Sequence, residues 1–578
     1  MNSVVQSQCQ AAHEHVQAGR MKEAKALLTA VCNAGSVDAE IWALLGEVNV
    51  ELSLYTEATE CLYRALELAP SHVNAHLHLG HTLCAQSRPE AALPHFHMVL
   101  SNAPETPGAI ESFQRASLQV AAEKGDTFAV RLHGAVELIV PGSLQLMTPY
   151  VLLEQEDWFE DEISFVRNLL QPGARVVDIG ASYGVYTAAM AHAIGPAGRL
   201  WAFEPASTTA SFLRRSLAHN QFSQVELVQA ALADRRGVAE MSLNMNSELN
   251  ALTQYSLAAG PVERVSLLTL DECAHDFGWE DIEFIKLDAE GGEENILRGG
   301  SSLLERESPL VMFELKHGKT VNRALLGQFN SLGYTPYRLV PGIGLLAPFD
   351  VRCEVDDYQL NLFACKPDRA AVLEARGLLA SSPGMDQLPS CGDILKLRAD
   401  AFDRSLPPSL RLAHLTQAAF EAERDTAVPS ASRLHRAARI AWELGERKKA
   451  VNWLVQLCND PMMSVSPADM AEPFLAASSR FDVIPDSGAH SVWFEASALY
   501  QLERLRAFST YFLGRKALKN LERLHSLGFH HAEMERRLQL VRLRHGLQSA
   551  PEPSPLLVAR TEDNLNPWFW TKGRTSVV

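Results

Sequence analysis

Several things are scarce in this sequence, and each scarcity excludes a class of protein. Its nine cysteines are an odd number spread over 578 residues without C-x-x-C spacing, which argues against a zinc ribbon and for reduced thiols. Basic charge is in deficit: 52 Lys and Arg face 69 Asp and Glu, for a formal net charge of −17. Phosphate backbones and anionic membrane surfaces are read by clustered Lys and Arg, so neither is an expected partner. No apolar run reaches transmembrane length, and the opening residues MNSVVQSQCQAAHEH carry neither a basic n-region nor an apolar h-region. A cytoplasmic protein without a membrane span is the expectation. The length is too great for one core and predicts three or four domains.

What is present organises itself around residues 175–184, RVVDIGASYG. A β-branched run ending in an acid meets a glycine-bracketed turn, and the apolar stretch 185–194 then has the pattern of a buried helix. Strand, glycine turn and helix form the opening unit of a doubly wound sheet, whose ligand sits at the strand's carboxyl end. Glycine admits close approach of the backbone to that ligand. The segment LWAFE (200–204) reads as a second strand whose terminal acid, Glu204, is placed to accept both ribose hydroxyls of a nucleoside. The turn's spacing is G-x-x-x-G, lacking both the dinucleotide fingerprint and the P-loop lysine. A nucleoside without phosphates, S-adenosylmethionine, fits it better than NAD or ATP. An ordinary βα turn is the plainer alternative.

Repeats occupy the first 106 residues. Trp42, Leu45, Gly46, Ala58, Leu62, Ala65 and Pro70 recur 34 positions later as His76, Leu79, Gly80, Ala92, Phe96, Val99 and Pro104. This is tetratricopeptide spacing, in which small residues let the two helices of a hairpin approach. Ala11, Ala24, Leu28 and Val31 hold the same phase one repeat earlier, giving about three repeats, and a helix over 109–124 is expected to cap them. The array offers a docking face for a protein partner or, more plainly, a structural cap. Of its histidines, His78 and His81 share a helical face at i, i+3, but no further ligand completes a metal site, and packed or solvated histidines are expected.

Downstream, a small β element is expected over 125–150 and an amphipathic helix over 157–170. Strands and helices then alternate to Cys365, with 238–243 and 262–267 pairing as a hairpin-like insertion. Acids close four of the strands: Asp178, Glu204, Asp288 and Glu314. A parallel sheet would place them on one rim. From about residue 370 the composition turns to Leu, Ala and Arg, and 430–457 reads as a helical hairpin resembling a degenerate repeat. A PEPSP linker and the aromatic stretch Pro567–Trp570 lie in the tail.

With these residues in view, the central region resembles the FkbM-type methyltransferases. The resemblance is carried by VVDIGASYGVYT (176–187), FEP (203–205), Asn220, ALAD (231–234), TLD (269–271), IKLDAEGGEENILRGG (285–300) and FE (313–314). It implies an α/β Rossmann-like class I core with a seven-stranded, mostly parallel sheet, S-adenosylmethionine as cofactor, and methyl transfer to oxygen, often on sugars or glycans. Carried over by residue, Asp178, Gly180, Ala181 and Gly184 would line the methionine side of the cofactor, Glu204 would hold the ribose, and Asp234 would also contact the cofactor. Asp288 and Glu290 would lie near the methyl. The expected division is 1–124 for the repeats and their cap, 125–369 for the methyltransferase, 370–550 for a C-terminal α-helical domain of degenerate repeats, and 551–578 for the tail.

A sugar hydroxyl is weakly acidic, so a general base should assist its attack. Asp288 is the first candidate, with Glu290 and His317 next. Alternatively, Asp288 and Glu290 hold a divalent metal against a diol, although no metal is expected. Glu290 and Glu293 would otherwise serve only to charge a helix N-terminus, Lys286 to pair with an acid, and His317 to sit in solvent. The reading is an O-methyltransferase acting on a saccharide, with the repeats docking a protein partner. A catalytically silent scaffold and a protein methyltransferase are the alternatives.

Overall fold

A computed structural model describes residues 3–547 apart from internal stretches, the longest being 117–126, 243–250, 253–261, 382–391 and 460–486. Two compact units emerge, one built mainly of residues 1–127 and the other mainly of 144–541.

In the first unit, six helices pair as three hairpins: Ser3–Gln17 with Met21–Asn33, Ala39–Glu51 with Tyr55–Leu68, and Val73–Ala85 with Pro89–Asn102. The repeat spacing explains why. A Cβ on Gly46 would stand 2.5 Å from the Leu62 side chain, and one on Gly80 would stand 2.5 Å from Phe96. The large residue of each second helix occupies the notch that the glycine leaves. Histidines here are hydrogen-bonded: His76 Nδ1 lies 2.9 Å from His95 Nδ1, and His81 Nε2 lies 2.8 Å from Ser112 Oγ. The cap expected over 109–124 falls largely outside the described residues.

The second unit is centred on an eight-stranded sheet. In chain order its strands are β1 (Arg175–Ile179), β2 (Arg199–Phe203), β3 (Val225–Val228), β4 (Ile282–Leu287), β5 (Leu310–Glu314), β6 (Thr335–Val340), β7 (Leu345–Pro348) and β8 (Asn361–Cys365). They lie in the spatial order β7-β6-β8-β5-β4-β1-β2-β3. From β3 to β5 all neighbours are parallel, whereas β8, β6 and β7 are added antiparallel. Seven strands were expected; the eighth is β7, which folds back on β6 through Gly342 and Gly344. Alternation along the central strands sends Val176, Phe284, Met312 and Phe363 into one apolar layer and Val177, Ile285, Val311 and Leu362 into the other. Burial on both faces is what a sheet covered by helices requires.

The insertion forms as read, with Gly237–Ser242 antiparallel to Val262–Leu268; most of the polar segment between them lies outside the described residues. Asn220 ties the small β element down: its Oδ1 accepts from Glu137 N and its Nδ2 donates to Glu137 O.

Beyond β8 the described elements are helices. The expected hairpin appears as Ala431–Leu444 and Arg447–Asn459. These helices are built onto the sheet. Val340, Leu345 and Ala347 share an apolar cluster with Leu412, Leu415, Ile440 and Leu444. Gly342 N donates to Glu443 O at 2.9 Å, and Arg338 Nη1 donates to Leu444 O at 2.6 Å. The tail after residue 547 lies outside the described residues.

Candidate active site

The parallel strands β1, β2, β4 and β5 end on one side, and a cavity of about 260 Å³ opens there. Gly180, Ala181, Ser182, Glu204, Lys286, Asp288, Glu290 and Glu314 line it, with Phe203, Leu232 and Met241 among its apolar walls.

Its first wall is the turn after β1. Gly180 has φ +76°, and a Cβ there would stand 1.7 Å from the carbonyl oxygen of Asp288. Glycine is therefore demanded by the neighbouring strand end, a closer constraint than the approach of a ligand. Gly184 has φ +90°, and its missing Cβ leaves room for Leu213. It starts the helix Val185–Ile194 and is not among the lining residues.

Glu204 closes β2. Its Oε2 accepts from Ser182 N and its Oε1 from Ala206 N, each at 2.9 Å. Burial outweighs those two bonds and pushes its carboxyl up to about 7. Each oxygen retains a lone pair, so the residue suits two ribose hydroxyls. An apolar wall beside a paired acceptor matches a nucleoside, and the cavity fits S-adenosylmethionine at this end.

The opposite end is ionic. Lys286 is buried on β4, and its Nζ donates to Asp288 Oδ2 at 3.0 Å and to Gly180 O at 3.4 Å. It also stands 3.9 Å from Asp178 Oδ1 and 5.2 Å from the centre of the Tyr186 ring. The expectation that Lys286 pairs with a neighbouring acid holds, and it pairs with two. Asp178 is fully buried, with its Oδ2 accepting from Thr187 Oγ1 at 2.5 Å. It stands beneath the cavity, not in its lining, and burial raises its carboxyl.

Around this lysine, carboxylate oxygens of Asp288, Glu290 and Glu314 all lie within 4.8 Å of one another, a spacing that a divalent cation would bridge. Burial first, then the neighbouring Asp288, Glu290 and Glu293, pushes Glu314 up to about 10. Such a group is a neutral hydrogen-bond donor at pH 7. Glu290 adopts φ +49° before Gly291 at +96°. That tight turn is held by Glu293 Oε1, which accepts from Ala289 N and Gly291 N. Glu293 thus shapes the loop, and Glu290 is the one that lines the cavity.

Two members were not anticipated. Glu160 lines the same end, and the Tyr186 hydroxyl donates to its Oε2 at 2.6 Å. Burial raises Glu160 as well. Only the acidic run after Trp158 and Phe159 hinted at it, because the residue arrives through tertiary packing. One expected residue stays apart, since Asp234 is exposed; His317 belongs to a two-residue strand paired with Thr320–Val321, and its side chain lies outside the described part of the structure. Asp234 is not among the lining residues.

Residues 178–336 match the methyltransferase FkbM domain, and residues 39–72 match a tetratricopeptide repeat. No curated protein matches the chain. Among solved structures, methyltransferase FkbM from Methylobacillus flagellatus KT is 15% identical over 47% of this chain and 58% of its own, with a TM-score of 0.24. A SAM-dependent O-methyltransferase from Thermotoga maritima is 16% identical over 42% of this chain and 77% of its own, with a TM-score of 0.23. MamA is 21% identical over 21% of this chain and 68% of its own, with a TM-score of 0.20. No described helix is long and apolar enough to cross a membrane. The chain thus carries a methyltransferase FkbM domain preceded by a tetratricopeptide repeat, and it is an S-adenosylmethionine-dependent methyltransferase.

Proposed function

We propose that this enzyme methylates a hydroxyl oxygen of a saccharide, on a class I Rossmann-like core of residues 125–369 between the repeats (1–124) and the helical domain (370–550). The observation that carries the reading is the polarity of the cavity. One end offers Glu204 beside apolar walls, and the other offers Asp288, Glu290, Glu314 and Glu160 around Lys286. A hydroxyl-rich acceptor is what such a crowd of hydrogen-bonding groups is suited to hold.

When bound, S-adenosylmethionine supplies an activated methyl on a sulfonium. The residues of the chain do the rest. Glu204 accepts the ribose hydroxyls, and Gly180 and Ala181 present backbone to the methionine end. Lys286 occupies Asp288 Oδ2, which leaves Oδ1 to take the proton of an acceptor hydroxyl. Glu290 stands next as base, and neutral Glu314 donates to a neighbouring hydroxyl. Alignment of the acceptor and exclusion of water do most of the work, because the donor is already activated. His317 follows as the third candidate base, and Asp234, which does not line the cavity, has no part in this scheme. The array of residues 1–106 docks a protein partner.

Calorimetric titration of S-adenosylmethionine tests the first half. The wild type should bind at micromolar levels and Glu204→Ala should lose about tenfold or more in affinity, as removal of a charged hydrogen-bond partner predicts. A folded wild type that does not bind would replace the enzyme with a silent scaffold.

A further inference from the structure

Two smaller cavities adjoin the active site within the second unit. One of about 50 Å³ shares Phe159, Glu160 and Leu360 with the catalytic cavity. Another, of about 70 Å³, shares Phe159, Asp161, Trp442, Arg447 and Phe508 with the second. The walls therefore run on without interruption from the catalytic carboxylates into the C-terminal helices.

The last cavity differs from the first in charge and surface. Four arginines line it, Arg439, Arg447, Arg504 and Arg537, against two acids, Asp161 and Glu533. Arg439 and Arg537 are buried and committed, to Glu443 and Glu533 respectively. The other two are not fully spent. Arg447 lies between the rings of Tyr358 and Phe508, 4.8 and 4.6 Å from their centres. Its Nε donates to Leu505 O, and its Nη2 to Arg504 O and Ala507 O. No described residue accepts from its Nη1, and no described carboxylate forms an ion pair with it. Arg504 gives Nη1 to the Tyr500 hydroxyl at 3.4 Å and stands 3.5 Å from Glu533 through Nε; no described residue accepts from its Nη2. Guanidinium donors without acceptors, set among aromatic rings, make a receptor for a planar or tetrahedral oxyanion on a sugar.

We infer that the cavity between Asp161 and the C-terminal helices binds a carboxylate or phosphate group of the acceptor through Arg447 and Arg504, so that the enzyme acts on an acidic saccharide. The acceptor half rests on the methyl-transfer reading; the anion site itself does not. Trp442 and Phe508 line the same cavity, and Phe159 marks the passage to the catalytic cavity. Asp161 is exposed and lines the site, where its charge opposes an incoming anion.

The test is calorimetry on the full chain with two probes, sodium glucuronate and inorganic phosphate, each repeated with neutral glucose and with S-adenosylmethionine as a separate titrant. One of the two anions should bind and glucose should bind at least tenfold more weakly; which anion binds assigns the group. Arg504→Gln should weaken that binding at least tenfold while leaving cofactor affinity unchanged. Asp161→Asn, a change at an exposed helix start, should tighten it about threefold, and this variant keeps the test open if the arginine variant fails to fold. Absence of binding by either anion, or binding indifferent to both substitutions, overturns the site. Anion binding in a chain that ignores S-adenosylmethionine keeps the site and removes the methyltransferase reading instead.

Discussion

At the scale of single residues, the site stores its information in protonation states. Glu204 titrates at about 7 because burial disfavours its charge more than two backbone bonds support it. If the ionised form holds the ribose, cofactor affinity should fall as pH drops through that value. Between pH 7 and 6 the ionised share shrinks roughly fivefold, and the apparent Kd should rise by about the same factor. Glu204→Gln should flatten the profile; a wild-type Kd unchanged down to pH 5 would show that the charge is not used. Glu314 works in the other sense. Its folded value near 10 lies far above the ordinary 4.5, so its protonated form favours folding below pH 4.5, and that advantage is lost as pH rises towards 10. Glu314→Gln should therefore stabilise the fold at neutral and alkaline pH, by about 1–2 kcal/mol after allowance for its coupling to Asp288 and Glu290, and leave it unchanged near pH 4. Thermal melts at pH 4, 7 and 9 check both sign and slope. A bound divalent cation would cancel the effect, because the carboxylate would then be ionised in the fold.

Secondary-structure elements decide where these residues meet, and here the sequence was legible in part. The glycine turn, the strand-closing acids and the repeat period are local signals. Each landed where the pattern put it, with Glu204, Asp288 and Glu314 lining the cavity. Asp178 carried the same signal but sank beneath the rim, because Thr187 one helical turn into the next element and Lys286 on β4 claim it. Glu160 and Tyr186 were hidden for the converse reason: they meet at 2.6 Å across 26 residues of sequence, and only packing of the helix Asp161–Leu169 brings them together. The eighth strand was missed because a four-residue run after paired glycines has no length for a period to show. That same hairpin makes a test. A Cβ on Gly342 would stand 2.7 Å from both the Cα and the carbonyl oxygen of Glu443, backbone that has nowhere to go. Glu443 is fully buried and holds Arg398 and Arg439 at 2.6 Å each. Gly342→Ala should cost about 1–3 kcal/mol, the usual range for overpacking, and lower the melting temperature by several degrees. An unchanged melt would mean that sheet and helices are not locked through this contact.

For the whole molecule, the decisive contrast is between two parts that look alike in sequence, since both flanks of the methyltransferase region are helical and repeat-like. Within the second unit, the apolar cluster that covers β6 and β7 is completed by the helices Pro408–Asp425 and Ala431–Leu444. Removing those helices would expose Val340, Leu345 and Ala347 and leave the buried Glu443 network without its frame; burying a Val or Leu side chain contributes roughly 1.5–3 kcal/mol, and several would be lost together. A chain ending at residue 381 should therefore fail to fold or should aggregate, despite retaining the whole FkbM match. Deleting residues 1–106 should do the opposite. The remaining chain should keep its melting transition and its affinity for S-adenosylmethionine within about twofold, and lose only the co-purifying partner that the repeats hold. The two truncations, assayed side by side by thermal melt, cofactor titration and pull-down, separate a docking module from a structural one. If the repeat deletion also destroys cofactor binding, the array is part of the enzyme's own fold, and its surface must be read as a cap instead of a docking site.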